Sequence, residues 1–406
     1  MTYRKFKADY LYLGDRMAEP DSVLITTTEG RVQSVLSGDE AGEGVEGYEG
    51  LLCPGFVNCH CHLELSHLKG AIPQGTGLVD FLSMVIGRRG PGASADRGQG
   101  TGSDRAAGSR GRVLEAMAAG EQEMLDNGIV VVGDICNTTD TLEQKRPGRL
   151  TYRNFIETMG FIGRGAADRF AASRAVFEEF EEAFPGLNSI VPHAPYSVSP
   201  ALFRLIAGFA GGRALTMHSQ ETEAENEWML AGTGDFRRLY EMLGLDVSFF
   251  HGTGERSLAG ILPYFNPEQP MILVHNVATG EMDLEKAARW TNLCFCLCPN
   301  ANRYISGKLP DVGMLVRRGC RLVVGTDSLA SNQGLSILAE LWTLQVAYPE
   351  LATGTLLGWA TSCGAAALQV DDVFGSFGPE KMPGVLLLQG LEGDRLTAGT
   401  RVSRLV

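Results

Sequence analysis

Between residue 54 and about residue 330, short β-branched and apolar runs alternate with stretches whose apolar positions recur at helical spacing. This is the pattern of βα units built around a parallel sheet. Eight runs stand out: Phe56–His62, Ile129–Ile135, Arg153–Glu157, Ser189–His193, Ala214–Gln220, Met271–Val277, Cys294–Pro299 and Leu322–Asp327. Eight parallel strands predict an α/β fold of the (β/α)8 TIM-like barrel type, which places its chemistry at the carboxyl ends of the strands. Helices are predicted at Arg112–Asn127, Ala167–Phe184, Leu202–Ala210, Asp283–Ala288, Val312–Arg318, Leu335–Ala347 and Leu351–Leu368.

The chain ends read differently. Tyr10–Tyr12, Val23–Thr28 and Arg31–Ser34 have the look of short antiparallel strands around a Glu29-Gly30 turn, and Gly384–Gln389 and Thr400–Val406 are also strand-like. Both ends are expected to meet in a small β-sandwich domain. The division is then residues 1–53 and 371–406 for that domain, with 54–370 for the barrel. The Gly/Ser/Arg/Asp tract from 88 to 112 lacks the apolar residues needed to bury a core and is expected to be an exposed loop. Its arginines could clamp an anion, although a solvated insertion is the plainer reading.

Each of the eight runs is apolar early and polar late. The late residues are His60 and His62, Asp134, Glu157, His193, His218, His275 and Asn276, Asn300 just past the seventh run, and Asp327. Side chains alternate along a strand, so His60 and His62 share one side and can grip one metal ion, while Cys59 and Cys61 face the other way. A pair of core histidines would satisfy the same pattern. Five of the seven histidines in the chain fall at these strand ends, however, and only His67 and His251 do not.

With 406 residues the chain can bury one large core. Its formal charge of -13 and the lack of a basic stripe argue against a nucleic-acid or anionic-membrane partner and for a small soluble ligand. No apolar run approaches the roughly 20 residues needed to span a bilayer, and the first residues carry no secretory pattern, so a cytoplasmic location is expected. Nine cysteines without a C-x-x-C pair read as reduced, mostly buried thiols, and Cys294, Cys296 and Cys298 as a packed strand face.

Taken in order, Pro54-Gly-Phe-Val-Asn-Cys-His-Cys-His62, His218-Ser-Gln-Glu221, His275, Gly325-Thr-Asp327 and Pro383-Gly384 resemble the amidohydrolase superfamily. The branch is that of chlorohydrolases and nucleoside or purine-base aminohydrolases. The resemblance implies one divalent metal, zinc or iron, held by His60, His62, His218 and Asp327. The lysine of two-metal branches is absent from the fourth strand end. It further implies Glu221 as general acid/base, His275 as the group that orients and polarises, and a proton-accepting role for Asp327 beside its ligand role. His193 would contact substrate, with Glu64, Asp80 and Arg303 as further candidates. Glu221 could instead be part of an acidic first helical turn, Asp327 a cap, and Arg303 a residue that fixes the loop after the seventh strand. The implied activity is hydrolysis of an exocyclic amino group on a purine-like ring, releasing ammonia. Asn58–His67 and Ser331–Leu335 look most like proteins that deaminate 6-amino-6-deoxyfutalosine, an adenine nucleoside. Other adenine nucleosides, then guanine or pterin deamination and triazine dechlorination, are the alternatives. A catalytically silent barrel acting as a binding protein is the alternative of another class. Barrels of this type often pair as homodimers.

Overall fold

The computed structural model describes residues 2–88 and 103–406, with the backbone alone for 103–109. Four strands come first: β1 (Tyr3–Leu11), β2 (Ser22–Thr27), β3 (Val32–Ser37) and β4 (Glu46–Pro54). Eight more follow: β5 (Phe56–Cys61), β6 (Ile129–Cys136), β7 (Thr151–Thr158), β8 (Asn188–Pro192), β9 (Leu215–Ser219), β10 (Met271–His275), β11 (Leu293–Leu297) and β12 (Arg321–Val324). The last two are β13 (Val385–Gln389) and β14 (Arg401–Arg404).

Strands β5 to β12 pair in parallel as two four-stranded sheets, β5-β6-β7-β8 and β12-β11-β10-β9. Where one continuous ladder was expected, no strand ladder joins the two sheets among the described residues, and backbone bonds link them near the strand ends. The His218 amide donates to the His193 carbonyl at 3.0 Å between β8 and β9, and the Thr326 and Asp327 amides donate to the His60 carbonyl at 3.1 and 3.0 Å between β12 and β5. The cause is local. β12 has four residues, and the chain leaves extended geometry at Asp327, whose φ is +57°. Every residue of β5, β6, β8, β9, β10 and β11 is buried, as strands covered on both sides by helices must be.

The two chain ends form one mixed sheet of order β14-β13-β4-β1-β2-β3. Leu51, Cys53, Leu386 and Leu388 join the large core, whereas Phe6, Leu24, Leu52, Val385 and Leu387 form a separate small one. Period-two alternation thus gives the sheet two apolar faces. No second sheet facing it, as a sandwich needs, occurs among the described residues, because β13 pairs edge to edge with β4 and extends the N-terminal sheet.

Three expectations change. Residues 89–102 of the tract expected as a loop lie outside the described residues, and 103–112 begin the helix Ser103–Asp126. The stretch Leu351–Leu368 is two helices, Thr353–Trp359 and Ser362–Ala367. It breaks where the Ala360 carbonyl turns to accept the Val57 amide at 2.8 Å and Thr361 adopts φ -132°, ψ -94°. The segment read as a loop after the seventh strand is the helix Pro299–Ser306, started by a proline whose missing N–H costs nothing in a first turn. Among the described residues no helix is long and apolar enough to cross a membrane, and all nine cysteines are free thiols, seven of them buried.

Candidate active site

Strand alternation puts His60 and His62 on one side at the end of β5, and the end of β9 brings His218 to meet them. The His62 Nε2 lies 3.1 Å from the His60 Nε2 and 3.2 Å from the His218 Nε2. Asp327, arriving past β12, sets its Oδ1 3.5 Å from the Nε2 of both His60 and His62. All four side chains are buried. The cluster therefore sits where the two sheets meet, next to the bonds that join their edges.

Second contacts decide which ring atom faces inward. The His218 Nδ1–H donates to the His193 carbonyl at 2.8 Å, which leaves its Nε2 lone pair for the cluster. Burial first, and then the neighbouring imidazoles, hold the His218 pKa well below its ordinary value, so the ring is neutral at pH 7. Burial pushes the Asp327 carboxyl up, but the hydrogen bond with His60 and the charges of His62 and His60 outweigh it and leave the group acidic. Ser331 Oγ donates to Asp327 Oδ2 at 2.5 Å, so Oδ1 is the oxygen left for the cluster. The distances of 3.1 to 3.5 Å suit the edge of a tetrahedron, about 3.3 Å for ligand bonds of about 2.0–2.1 Å, and three imidazoles with one carboxylate suit zinc or iron(II). The residues fit such an ion.

The rim is held in costly backbone geometry. Gln220, His275, Asn276 and Asp327 have φ values of +49°, +78°, +57° and +57°, conformations that cost of order 1–3 kcal/mol each outside glycine. Bonds enforce them: the Asn276 amide donates to the Ser219 carbonyl, its Nδ2 to Leu273 and Cys296 carbonyls, and the Ala278 amide to the Gln220 carbonyl. Gly325 serves a close approach instead, since a Cβ there would stand 2.8 Å from the His60 Cβ and 2.9 Å from its amide nitrogen.

Beside the cluster, the Glu221 Oε1 lies 3.7 Å from the His275 Nε2. Burial, then the nearby Asp327 and Glu225 carboxylates, raise the Glu221 pKa well above a carboxylate's usual range. Burial brings the His275 pKa down to about 4, so this ring is neutral too. Its Nδ1 is 2.9 Å from Asn302 Nδ2, and an amide N–H aimed at Nδ1 leaves the ring proton on Nε2, towards Glu221. A protonated buried carboxyl can give a proton to a base, and a neutral imidazole bearing Nε2–H can donate a hydrogen bond to developing negative charge.

A sequence profile of the Amidohydrolase family matches residues 51–395. The chain belongs to the amidohydrolase family. Among characterised relatives it is 26% identical over 330 residues to the adenosine deaminase of Helicobacter pylori, covering 79% of this chain and 75% of that one. It is likewise 26% identical over 330 residues to the aminodeoxyfutalosine deaminase of Nitratiruptor sp., at 78% and 74% coverage. Among solved structures, Helicobacter pylori aminofutalosine deaminase in complex with methylthio-coformycin superposes with a TM-score of 0.78 at 21% identity, covering 97% of this chain and 93% of that one. An adenosine deaminase from Xanthomonas campestris with bound zinc gives 0.71 at 20% identity, with 95% and 84% covered. The structural likeness speaks for the fold.

Around this amidohydrolase cluster the remaining candidates divide. His193 borders it, with ring centroids 4.9 Å from His218, and its Nδ1 is 2.6 Å from Ser197 Oγ. It also lines a cavity of about 420 Å³ with Phe161, Tyr196 and Tyr240. The Glu64 carboxylate accepts from the Asn137 and Thr138 amides and the Thr138 hydroxyl, and burial pushes its pKa up to about 7. Asp80 pairs with Arg238 at 2.6 Å on the exposed surface. Arg303 is exposed, near enough to Tyr348 to oppose the rise of its pKa. The role of Asn302 under His275 and of Ser331 under Asp327 went unread in the sequence, although the run Ser328 to Ser331 offers hydroxyls one turn past the aspartate.

Proposed function

We propose that the protein is a metal-dependent aminohydrolase that removes an exocyclic amino group from a purine-like ring. The convergence of His60, His62, His218 and Asp327 beside Glu221 and His275 carries this reading. The four would hold one divalent ion, zinc or alternatively iron(II), which supplies Lewis acidity and a water-derived nucleophile near neutral pH. In the proposed mechanism Glu221, kept protonated by burial, gives its proton to the ring nitrogen next to the carbon under attack. His275 donates its Nε2–H to the tetrahedral centre. Asp327 takes the proton released by water and returns it to the departing amine, and the hydroxyl proton left on the carbon passes to Glu221 as the C=O forms, so water and the amino-substituted ring become the oxo-substituted ring and ammonia with Glu221 protonated again.

For the substrate we propose 6-amino-6-deoxyfutalosine or another adenine nucleoside. Relatives so named support this, and so does the apolar cavity beyond His193, which offers room for a group larger than a bare base. His193 is the proposed substrate contact. The reading includes a closed TIM-type barrel over residues 54–370 and a small domain from 1–53 and 371–406.

The test is ammonia release from a panel of adenine nucleosides including aminodeoxyfutalosine, with guanine and a chlorotriazine, by the zinc-loaded protein against Glu221→Gln. Release from a nucleoside that falls at least about 100-fold in the variant is expected. Turnover of guanine or triazine alone would move the substrate to those classes. No turnover of any compound by metal-loaded protein would overturn the deaminase and favour a binding role.

A further inference from the structure

Lys145 is wholly buried at the end of the short helix Leu142–Lys145, with every donor used. Its Nζ pairs with Asp134 Oδ2 at 2.6 Å, donates to Asn154 Oδ1 at 2.8 Å and stands 3.2 Å from Cys136 Sγ. The rings of Tyr152 and Phe180 close over it, 4.8 and 5.1 Å away. Burial alone would discharge the ammonium, but Asp134 and Cys136 outweigh it and keep Lys145 protonated. The other Asp134 oxygen, Oδ1, accepts the Leu63 amide at 2.9 Å. Leu63 is the residue after His62, and its N–H is an orphan donor in the first turn of the 3-10 helix Leu63–Leu68 that His62 caps.

A buried ion pair is a poor device for stability alone, because apolar side chains of like volume do as well or better. What this pair does, and an apolar pair would not, is hold a charged acceptor on the amide that sets where the chain turns after His62. We propose that Asp134 and Lys145 are positioning residues of the metal centre, which fix His62 by gripping the Leu63 amide. Lys145 orients Asp134, and neither touches substrate or ion. This rests on the reading of His60, His62, His218 and Asp327 as the ligand set.

Two double variants separate positioning from fold maintenance. Asp134→Asn/Lys145→Met removes both charges and keeps a side-chain acceptor for the Leu63 amide. Asp134→Leu/Lys145→Met removes the acceptor as well. Metal-stripped full-length protein is titrated with zinc against a chromophoric chelator. The Leu variant is expected to bind zinc 10- to 100-fold more weakly than the Asn variant, with metal-free melting temperatures within about 4 °C of each other. Equal zinc affinities would overturn the proposal. Should the Leu variant not fold, deuterium exchange over residues 62–68 in Lys145→Met decides. Faster exchange than in the parent is expected, and unchanged exchange would overturn it. If the parent and His62→Ala bind zinc equally well, it is the ligand reading that has failed.

Discussion

Asn302 supports His275 from behind: its Nδ2 lies 2.9 Å from the ring's Nδ1, while the Nε2 on the far side is 3.7 Å from Glu221. The two residues come from different elements, the helix Pro299–Ser306 and the end of β10, and their contact selects which nitrogen carries the ring proton. Asn302→Ala frees the ring to turn and to change tautomer. We expect kcat to fall about 10-fold with KM within about twofold, as for loss of an orienting partner. Steady-state kinetics on the best substrate of the panel would check it, and an unchanged kcat would mean that His275 needs no such partner.

Metal removal should act on stability as well as activity. An ion held by His60, His62, His218 and Asp327 binds the folded chain and not the unfolded one, so a strong chelator is expected to abolish turnover and lower Tm, and added zinc to restore both. At a zinc concentration of 100 Kd the stabilisation is about 2.7 kcal/mol. Thermal unfolding at graded free zinc measures it, and a Tm independent of zinc in the parent chain would count against the cluster as a metal site.

Gly325→Ala tests the close approach of β12 to β5. The added methyl meets His60 Cβ and backbone at under 3.0 Å, and backbone cannot yield as a long side chain would. A destabilisation of about 1–3 kcal/mol is expected, together with weaker zinc binding because His60 is what must move. Denaturant unfolding and zinc titration of the same variant report the two effects. Loss of stability with intact zinc affinity would show that the strain is absorbed elsewhere.

Glu340 carries a pH dependence. Its carboxylate accepts the Asn300 amide and Asn332 Nδ2, tying the segment after β11 to that after β12, and burial pushes its pKa up to about 8. Its unfolded value is about 4.5. Between those values the folded chain holds a proton that the unfolded chain has released, so this group's contribution falls as pH rises from about 4.5 to about 8. The slope is of order 1 kcal/mol per pH unit. Stability measured by denaturant at pH 6 and pH 8 should therefore show a decline that is shallower in Glu340→Gln. Equal declines would mean that Glu340 is ionised throughout.

Periodicity made the eight central strands legible to within two residues at most ends, because a buried parallel strand is an uninterrupted apolar run that stops where its polar rim residue begins. Helix continuity was less legible. Leu351–Leu368 reads as one helix, yet Ala360 gives its carbonyl to Val57, some 300 residues away in sequence. Pro299–Ser306 reads as a loop because Pro, Asn and Arg dominate it, and it is helical because Pro sits in the first turn and Ala301, Asn302 and Ile305 pack inward.

The sequence by itself determined which polar side chains stand at the strand ends, since alternation sets the side of His60 and His62 whatever the rest of the chain does. It also determined the family, through the order of short motifs. What only the tertiary structure decided is which partner stands behind each group: His193 carbonyl behind His218, Ser331 behind Asp327, Asn302 behind His275, and Asp134 with Lys145 behind Leu63. Several of these join residues of different strands and helices, where no local period links them. Their pairing follows from how the two sheets meet and from the need of every buried polar atom to find a partner.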